Sequence, residues 1–270
     1  MSSDQSTSGV EPTPREGLLE EALSDLARSR ETGLLAFVVV VCSGTVTVAG
    51  GAMAGVSWAL FTTGDLSGLV ALLTSNAAWL FTTVFALVGL FVAYPRLEAG
   101  VEPSAIPGLV AGRWVLVAVG VTPGLALVGV VGVLAYDPFS AGGYLAFAVL
   151  TVLVLTAFVS LGALVRVVAG SGERAIVGLL STYFLLVFLW DTTIVPLLIA
   201  LPLVGEPADA LGAQPGWFEW LVALSPGRAY AAAAEGVVNG PTALAGFGVV
   251  VLLAWVVLPV VTAVSVSERR

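Results

Sequence analysis

The sequence predicts an all-α polytopic membrane protein. It is expected to have six transmembrane helices, both termini cytoplasmic, an amphipathic helix ahead of span 1 and a re-entrant outer hairpin between spans 5 and 6. Three observations carry this prediction. Of 270 residues, 58% are apolar and 10% charged, against about 45–50% and about 25% in a soluble domain. Six apolar runs each reach the roughly 20 residues that cross about 30 Å of hydrocarbon. All ten basic residues are Arg, and nine of them fall on one side of the topology that those runs define.

The runs are Gly33–Leu60, Leu69–Tyr94, Trp114–Tyr136, Tyr144–Val165, Ala175–Val204 and Ala243–Val266; Asp191, in the fifth, is their one ionisable Asp, Glu or Arg. With the N-terminus cytoplasmic, the inner segments hold Arg15, Arg28, Arg30, Arg96, Arg113, Arg166, Arg174, Arg269 and Arg270, and only Arg228 lies outside. Outer segments instead carry Asp65, Asp137, Glu206, Asp209, Glu219 and Glu235. The bias recurs at every loop and sets the orientation.

Ahead of the spans, residues 1–16 (MSSDQSTSGVEPTPRE) are too poor in apolar side chains to offset the entropy of ordering, and a disordered cytoplasmic tail is expected. A cleaved signal peptide is the weaker reading, because the first apolar run is about twice the length of a signal's apolar region. In residues 17–32, Leu18, Leu19, Ala22, Leu23 and Leu26 recur at helical spacing opposite Glu20, Glu21, Asp25 and Arg28. That pattern suits a helix lying on the inner membrane surface, or a short helix packed only on the protein. Residues 33–270 form the six-helix domain.

Three further segments bear on function. The inner connection between spans 2 and 3 holds Arg96, Glu98, Glu102 and Arg113, with Pro95, Pro103 and Pro107 expected to break it into short pieces. It is either a grip for a cytoplasmic partner or a solvated linker. The outer segment from Glu206 to Gly240 is too charged to span; Trp217, Phe218, Trp220, Leu221 and Leu224 make an aromatic face, followed by a Ser225-Pro226 break and a small-residue helix near Arg228. This suits a re-entrant or interfacial hairpin, or an aromatic anchor. Asp191 lies about 24 Å beyond the inner end of span 5 at 1.5 Å per residue, and a carboxylate there needs protein or water around it. Arg228 is the one outer cation, so an Asp191–Arg228 pair is expected, in a structural or a substrate-binding role.

Absences restrict the chemistry. Without Lys the chain cannot build a Walker A loop, whose ammonium contacts the nucleotide's outer phosphates, or a Schiff base. Without His it lacks the imidazole of a Ser-His hydrolase. One Cys (Cys42) and two Met make neither a disulfide nor a soft-metal site, so no metal ligands are assigned. A net charge of −8 argues against a nucleic-acid partner.

The stretch from Ala141 to the C-terminus resembles the ABC-2 type transporter permease family. The resemblance rests on GALVRVVAGSGERAIVGLL at the exit of span 4, on STYFLLVFLWD in span 5 and on WFEWLVALSPGRAY, in which Trp217, Phe218, Ser225, Pro226, Ala229 and Tyr230 match the family's pattern. It implies an elbow helix before span 1, a coupling segment between spans 2 and 3 and an outer re-entrant element. It also implies a second permease subunit, identical or different, and a separate ATPase subunit that holds ATP and Mg, no cofactor being expected in this chain. By this resemblance Arg96, Glu98, Glu102 and Arg113 would meet the ATPase, and Trp217, Phe218, Ser225, Pro226, Arg228 and Tyr230 would form the outer gate. Of the family's usual coupling segment the chain keeps only the Arg96–Glu98–Gly100 region and Arg113. A second, better-coupled permease is one explanation of that departure.

Two rival readings stand beside the transporter subunit. An ion-coupled carrier places ionisable groups near the midplane, where only Asp191 qualifies; a non-transporting membrane scaffold needs no pathway at all. The location expected under all three is the cell membrane. Acidic soluble segments and complete replacement of Lys by Arg further suggest an archaeal, halophilic cytoplasm.

Overall fold

The computed structural model describes residues 29–48, 80, 82–93, 101–135, 141–190 and 216–270, and no strand occurs among them. Helix α1 starts as Ser29–Val38 and continues through a π-helical stretch, Val39–Ser43, to Val48. Helix α2 is Thr82–Val92, α3 Ile106–Ala135 and α4 Ala141–Ala169. Helix α5, Gly172–Phe184, runs on into a second π-helical stretch, Leu185–Leu189. Two shorter helices, α6 (Gly216–Val222) and α7 (Pro226–Asn239), precede α8, Ala243–Glu268.

Four stretches are long and apolar enough to cross a membrane: Pro103–Val131, Ala141–Ala169, Gly172–Leu189 and Ala243–Glu268. Each lies on a predicted span. The shorter apolar helices Gly33–Val48 and Thr82–Val92 lie within the first two. The remainder of spans 1, 2 and 5 is outside the described residues, as are the tail over 1–16 and most of the 17–32 helix. Residues 29–32 are the opening turn of α1 and pass without a break into Gly33.

The expectation that prolines break the connection before span 3 is corrected. Pro103 opens a 3-10 turn, Pro103–Ala105, and Pro107 is the second residue of α3. In a first helical turn the N–H has no intrahelical acceptor, so a proline there removes no bond and its φ already suits the helix. Span 3 therefore begins eight residues earlier than predicted, at Ile106. Arg113 lies inside it, 5% exposed, and not in a loop. At the other side of the same pair, α4 continues past Val165 to Ala169, so Arg166 is buried in its last turn. The partial negative charge of a helix C-terminus favours a cation at that position.

Helix α4 is the centre of the bundle and packs against α3, α5, α7 and α8. Along its buried side the hydroxyls of Thr151, Thr156 and Ser160 donate to the carbonyls of Phe147, Leu153 and Thr156 at 2.9, 2.8 and 2.9 Å. These polar groups are thus satisfied within an apolar interior. Helix α3 runs antiparallel to α4: near one end Trp114 Nε1 donates to Ser160 Oγ at 3.1 Å, and near the other the Tyr144 hydroxyl donates to the Leu125 carbonyl.

Glycine sets how closely the helices approach. A Cβ on Gly162 would lie 2.4 Å from the Leu90 carbonyl oxygen, and one on Gly124 would lie 2.5 Å from that of Ser43. Helices α2 and α4, and α1 and α3, therefore touch backbone to backbone. At the second contact Ser43 Oγ donates to the Gly120 carbonyl at 2.7 Å, the kind of small-residue seam that holds helices together in lipid.

The far end of α8 ties the bundle off. Arg270 donates to the Val167 and Val168 carbonyls at 2.8 and 2.6 Å, in the last turn of α4 where no helical N–H follows. Gly170, at φ 71°, turns the chain there into α5.

Replacing Gly162 by Ala should cost about 1–3 kcal/mol, the usual range for overpacking, because the new methyl meets backbone that cannot swing aside. Gly246→Ala, with nothing within 4 Å of the new carbon, should leave the melting temperature in detergent unchanged or slightly higher. Equal melting temperatures for the two variants would contradict the close α2–α4 contact.

Candidate functional site

Between spans 5 and 6 the chain forms a helical hairpin, α6 and α7. Its turn has a local cause. Ser225 precedes a proline and is held extended at φ −75°, ψ 146°. Its side chain accepts from the Arg228 N–H at 3.2 Å, capping α7, while Pro226 takes the first helical position. Helix α7 ends at Gly240, φ 97°, a left-handed conformation that a side chain would strain. Thr242 then caps α8 by accepting from the Ala245 N–H at 3.0 Å. Helices α7 and α8 are accordingly a tight antiparallel pair.

The depth of the hairpin follows from its neighbours. Trp255, the thirteenth of the 26 residues of α8, donates its indole N–H to the Leu224 carbonyl at 2.8 Å. The turn therefore lies beside the middle of the last span. From there α7 climbs back along α8: a Cβ on Gly248 would sit 2.5 Å from the Ala229 carbonyl, and one on Gly236 would meet the Ala245 methyl. Trp190, at the end of the π stretch of α5, donates to the Val222 carbonyl at 3.2 Å. Val222 ends α6 and its carbonyl also accepts from the Ser225 N–H at 3.4 Å, while Leu224 lies in the turn that follows. Two indoles, one from α5 and one from α8, thus reach carbonyls at and beside the turn.

The side chains divide by face. Phe218, Ser225, Ala229 and Tyr230 are buried, the last at 1% exposure, whereas Trp217 is half exposed. Since Thr151 gives its proton to Phe147, the hydroxyl of Tyr230 donates to Thr151 Oγ1, at 3.4 Å, and α7 is thereby fastened to α4. A Cβ on Gly227 would lie 3.1 Å from Thr82, so α2 also adjoins the hairpin. Trp220 meets Phe247 of α8 edge to face, with ring centroids 5.0 Å apart.

Of the residues singled out from sequence, the structure brings together Trp217, Phe218, Ser225, Pro226, Arg228 and Tyr230 in this hairpin. Glu102 is exposed just ahead of the Pro103–Ala105 turn. Beside it the carbonyl of Val101 accepts from Ser267 Oγ at 3.5 Å, so Glu102 and the hairpin stand at opposite ends of α8. Arg113 is enclosed within α3. Arg96, Glu98 and Asp191, and with Asp191 its pairing to Arg228, lie outside the described residues.

Sequence reasoning missed Trp190, Trp255, Thr151 and Arg270 as structural donors and acceptors. A Trp inside an apolar run carries an N–H that must be satisfied, which was the available signal for the first two.

Four spanning helices, two shorter apolar ones and a helical wedge held at the depth of a span's midpoint define a multi-pass membrane protein. The family model described as ABC-2 family transporter protein matches residues 105–270, from the start of α3 onward. This is more than half of the chain, which belongs to that family. No curated protein matches it.

Two substitutions test how the turn is held. Trp255→Phe keeps an aromatic ring, though a smaller one, and removes the donor to Leu224, and Ser225→Ala removes the α7 cap; each should cost about 1 kcal/mol or more, read as a lower melting temperature in detergent. Wild-type stability in both variants would mean that the turn does not depend on these bonds.

Proposed function

We propose that the chain is the membrane-spanning subunit of an ABC-2 type transporter, paired with a second permease subunit of the same or another kind and driven by a separate ATPase subunit that holds ATP and Mg. The match of the family model over residues 105–270 carries this reading. The absence of Lys and His agrees with nucleotide chemistry residing in another polypeptide.

The subunit lies in the cell membrane with both termini in the cytoplasm, a reading supported by the distribution of arginines. ATPase closure acts at the inner end, on the elbow helix and on the segment from Arg96 through Glu98 to Glu102. Burial of Arg113 gives it a different part: it carries motion of that segment into α3 and does not touch the ATPase. At the outer end the α6–α7 hairpin is the gate, re-entrant from the outer face, with its turn beside the middle of α8. Separation of the two ends along α8 supports this division of labour.

A tagged full-length chain purified from native membranes in mild detergent should bring down an ATPase subunit. Its absence would leave the scaffold or ion-coupled carrier. Tags at the two termini should both resist protease added outside sealed cells and be cleaved once the membrane is opened; cleavage of both in sealed cells would reverse the orientation, and cleavage of one alone would mean an odd number of spans.

A further inference from the structure

Of the four long apolar stretches, the one that contains α5 is the least enclosed. Only 11% of Gly172–Leu189 is buried in the bundle, against 67% of Ala141–Ala169. The buried side of α5, Ala175 and Leu179, lies toward α4, where a Cβ on Gly178 would sit 2.8 Å from the Val165 side chain. The other side is open and ordered. Arg174, Val177, Ser181 and Phe184 are all exposed and follow one another at steps of three, four and three residues. That alternation is the seam along which two helices pack lengthwise. Phe188, also exposed, carries the line into the π-helical stretch, its ring centroid 5.5 Å from that of Phe184.

This seam differs from the other exposed faces. On α8 the exposed residues are aliphatic: Val250, Leu253, Val257 and Val261. Where a span exposes a threonine, as at Thr122 and Thr262, its hydroxyl donates to the carbonyl four residues back, at 2.7 and 2.8 Å. Ser181 has no hydrogen-bond partner among the described residues. A hydroxyl midway along an apolar helix is satisfied by a polar group of another helix. In the first turn of α5 the exposed Glu173 and Arg174 place opposite charges side by side.

These features are self-complementary. When two copies of α5 run parallel about a two-fold axis, each seam residue faces its own counterpart. Ser181 then meets Ser181, and one hydroxyl donates where the other accepts. In such packing a seam residue also touches, on the facing helix, the residue that precedes its counterpart. Arg174 therefore meets Glu173 of the other copy and Glu173 meets Arg174, two ion pairs from one dipeptide. A different subunit needs matching groups of its own; the same chain already has them.

We propose that this face of α5 is the interface with a second copy of the chain, the two helices packed in parallel along Arg174, Val177, Ser181 and Phe184. The proposal rests on the transporter reading for the presence of a second permease subunit, and it identifies that subunit as an identical one.

The test is disulfide cross-linking. Two differently tagged copies of the full-length chain, each carrying Ser181→Cys in a Cys42→Ala background, are co-expressed in the native membrane and oxidised with copper phenanthroline. The control is Val257→Cys in the exposed face of α8. Ser181 and Val257 both lie about 15 Å along their helices, from the Gly172 end of α5 and the Glu268 end of α8. A product of twice the chain's mass carrying both tags should form about tenfold more from 181 than from 257, because a disulfide needs Cα atoms within about 7 Å. Equal yields would overturn the proposal and leave lipid over the seam. So would a cross-link from 181 only to a chain of different mass, which would make the partner a different subunit.

The charges give a second readout. Glu173→Arg or Arg174→Glu alone should lower the 181 cross-link about fivefold, since each substitution acts twice across the axis. Both together exchange the partners and should restore it; a double variant as weak as the singles would overturn the parallel register. Ser181→Cys replaces one small side chain by another and decides the face by itself. The cross-link requires no ATPase. A 181 dimer without a co-purifying ATPase would keep the interface and remove the transporter reading; a bound ATPase with no 181 dimer would do the reverse.

Discussion

In hydrocarbon, burying an apolar side chain between helices gains little over leaving it in lipid, so the helices of this bundle are held by how closely their backbones approach. Gly162 on Leu90, Gly124 on Ser43 and Gly248 on Ala229 are the points where this happens. Each brings a helix within range of many weak attractions that a single methyl would abolish. The contact at Gly248 seats α7 on α8, and hence determines how deep the hairpin sits. The hairpin's position is in this sense a consequence of packing chemistry.

The same solvent imposes a second condition, that no backbone carbonyl be left bare. Breaking the chain at Val222–Ser225 beside the middle of a span exposes the carbonyls at the end of α6. Trp255 donates to the Leu224 carbonyl, Trp190 joins the Ser225 N–H at that of Val222, and the Ser225 side chain supplies the acceptor for the Arg228 N–H near the start of α7. The other end of the bundle follows the same rule, with Arg270 serving the final carbonyls of α4.

Much of this was legible in the sequence. Charge-free runs located the four long apolar helices, because length and apolarity are what a bilayer selects, and the Ser225-Pro226 break located the turn because that dipeptide both caps and starts a helix. Pro103 and Pro107 misled, since a proline signals the start of a helix as readily as its interruption and only the backbone on either side distinguishes them. Arg113 and Arg166 misled similarly: a cation near a span's end was placed outside it, although a helix C-terminus or a packed interior accommodates one. The depth of the hairpin was not legible. It depends on contacts such as Trp255 to Leu224, 31 residues apart in the chain and carried by side chains with no local pattern.

The two indoles come from different helices, α5 and α8, and this constrains how the hairpin can move. Trp255 is part of α8, to which α7 is bound along its length by Gly248 and Gly236, so α7 and α8 travel as one body. Trp190 ends the π-helical stretch of α5, a looser winding often found where helices bend or shift. Displacement of α5 relative to α8 therefore strains the bond to Val222 while leaving that to Leu224 intact. The weaker tie, at 3.2 Å against 2.8 Å, is also the one on the more deformable helix. Movement of α5 away from the hairpin, with α7 held against α8, therefore breaks fewer of these bonds than lifting the hairpin whole.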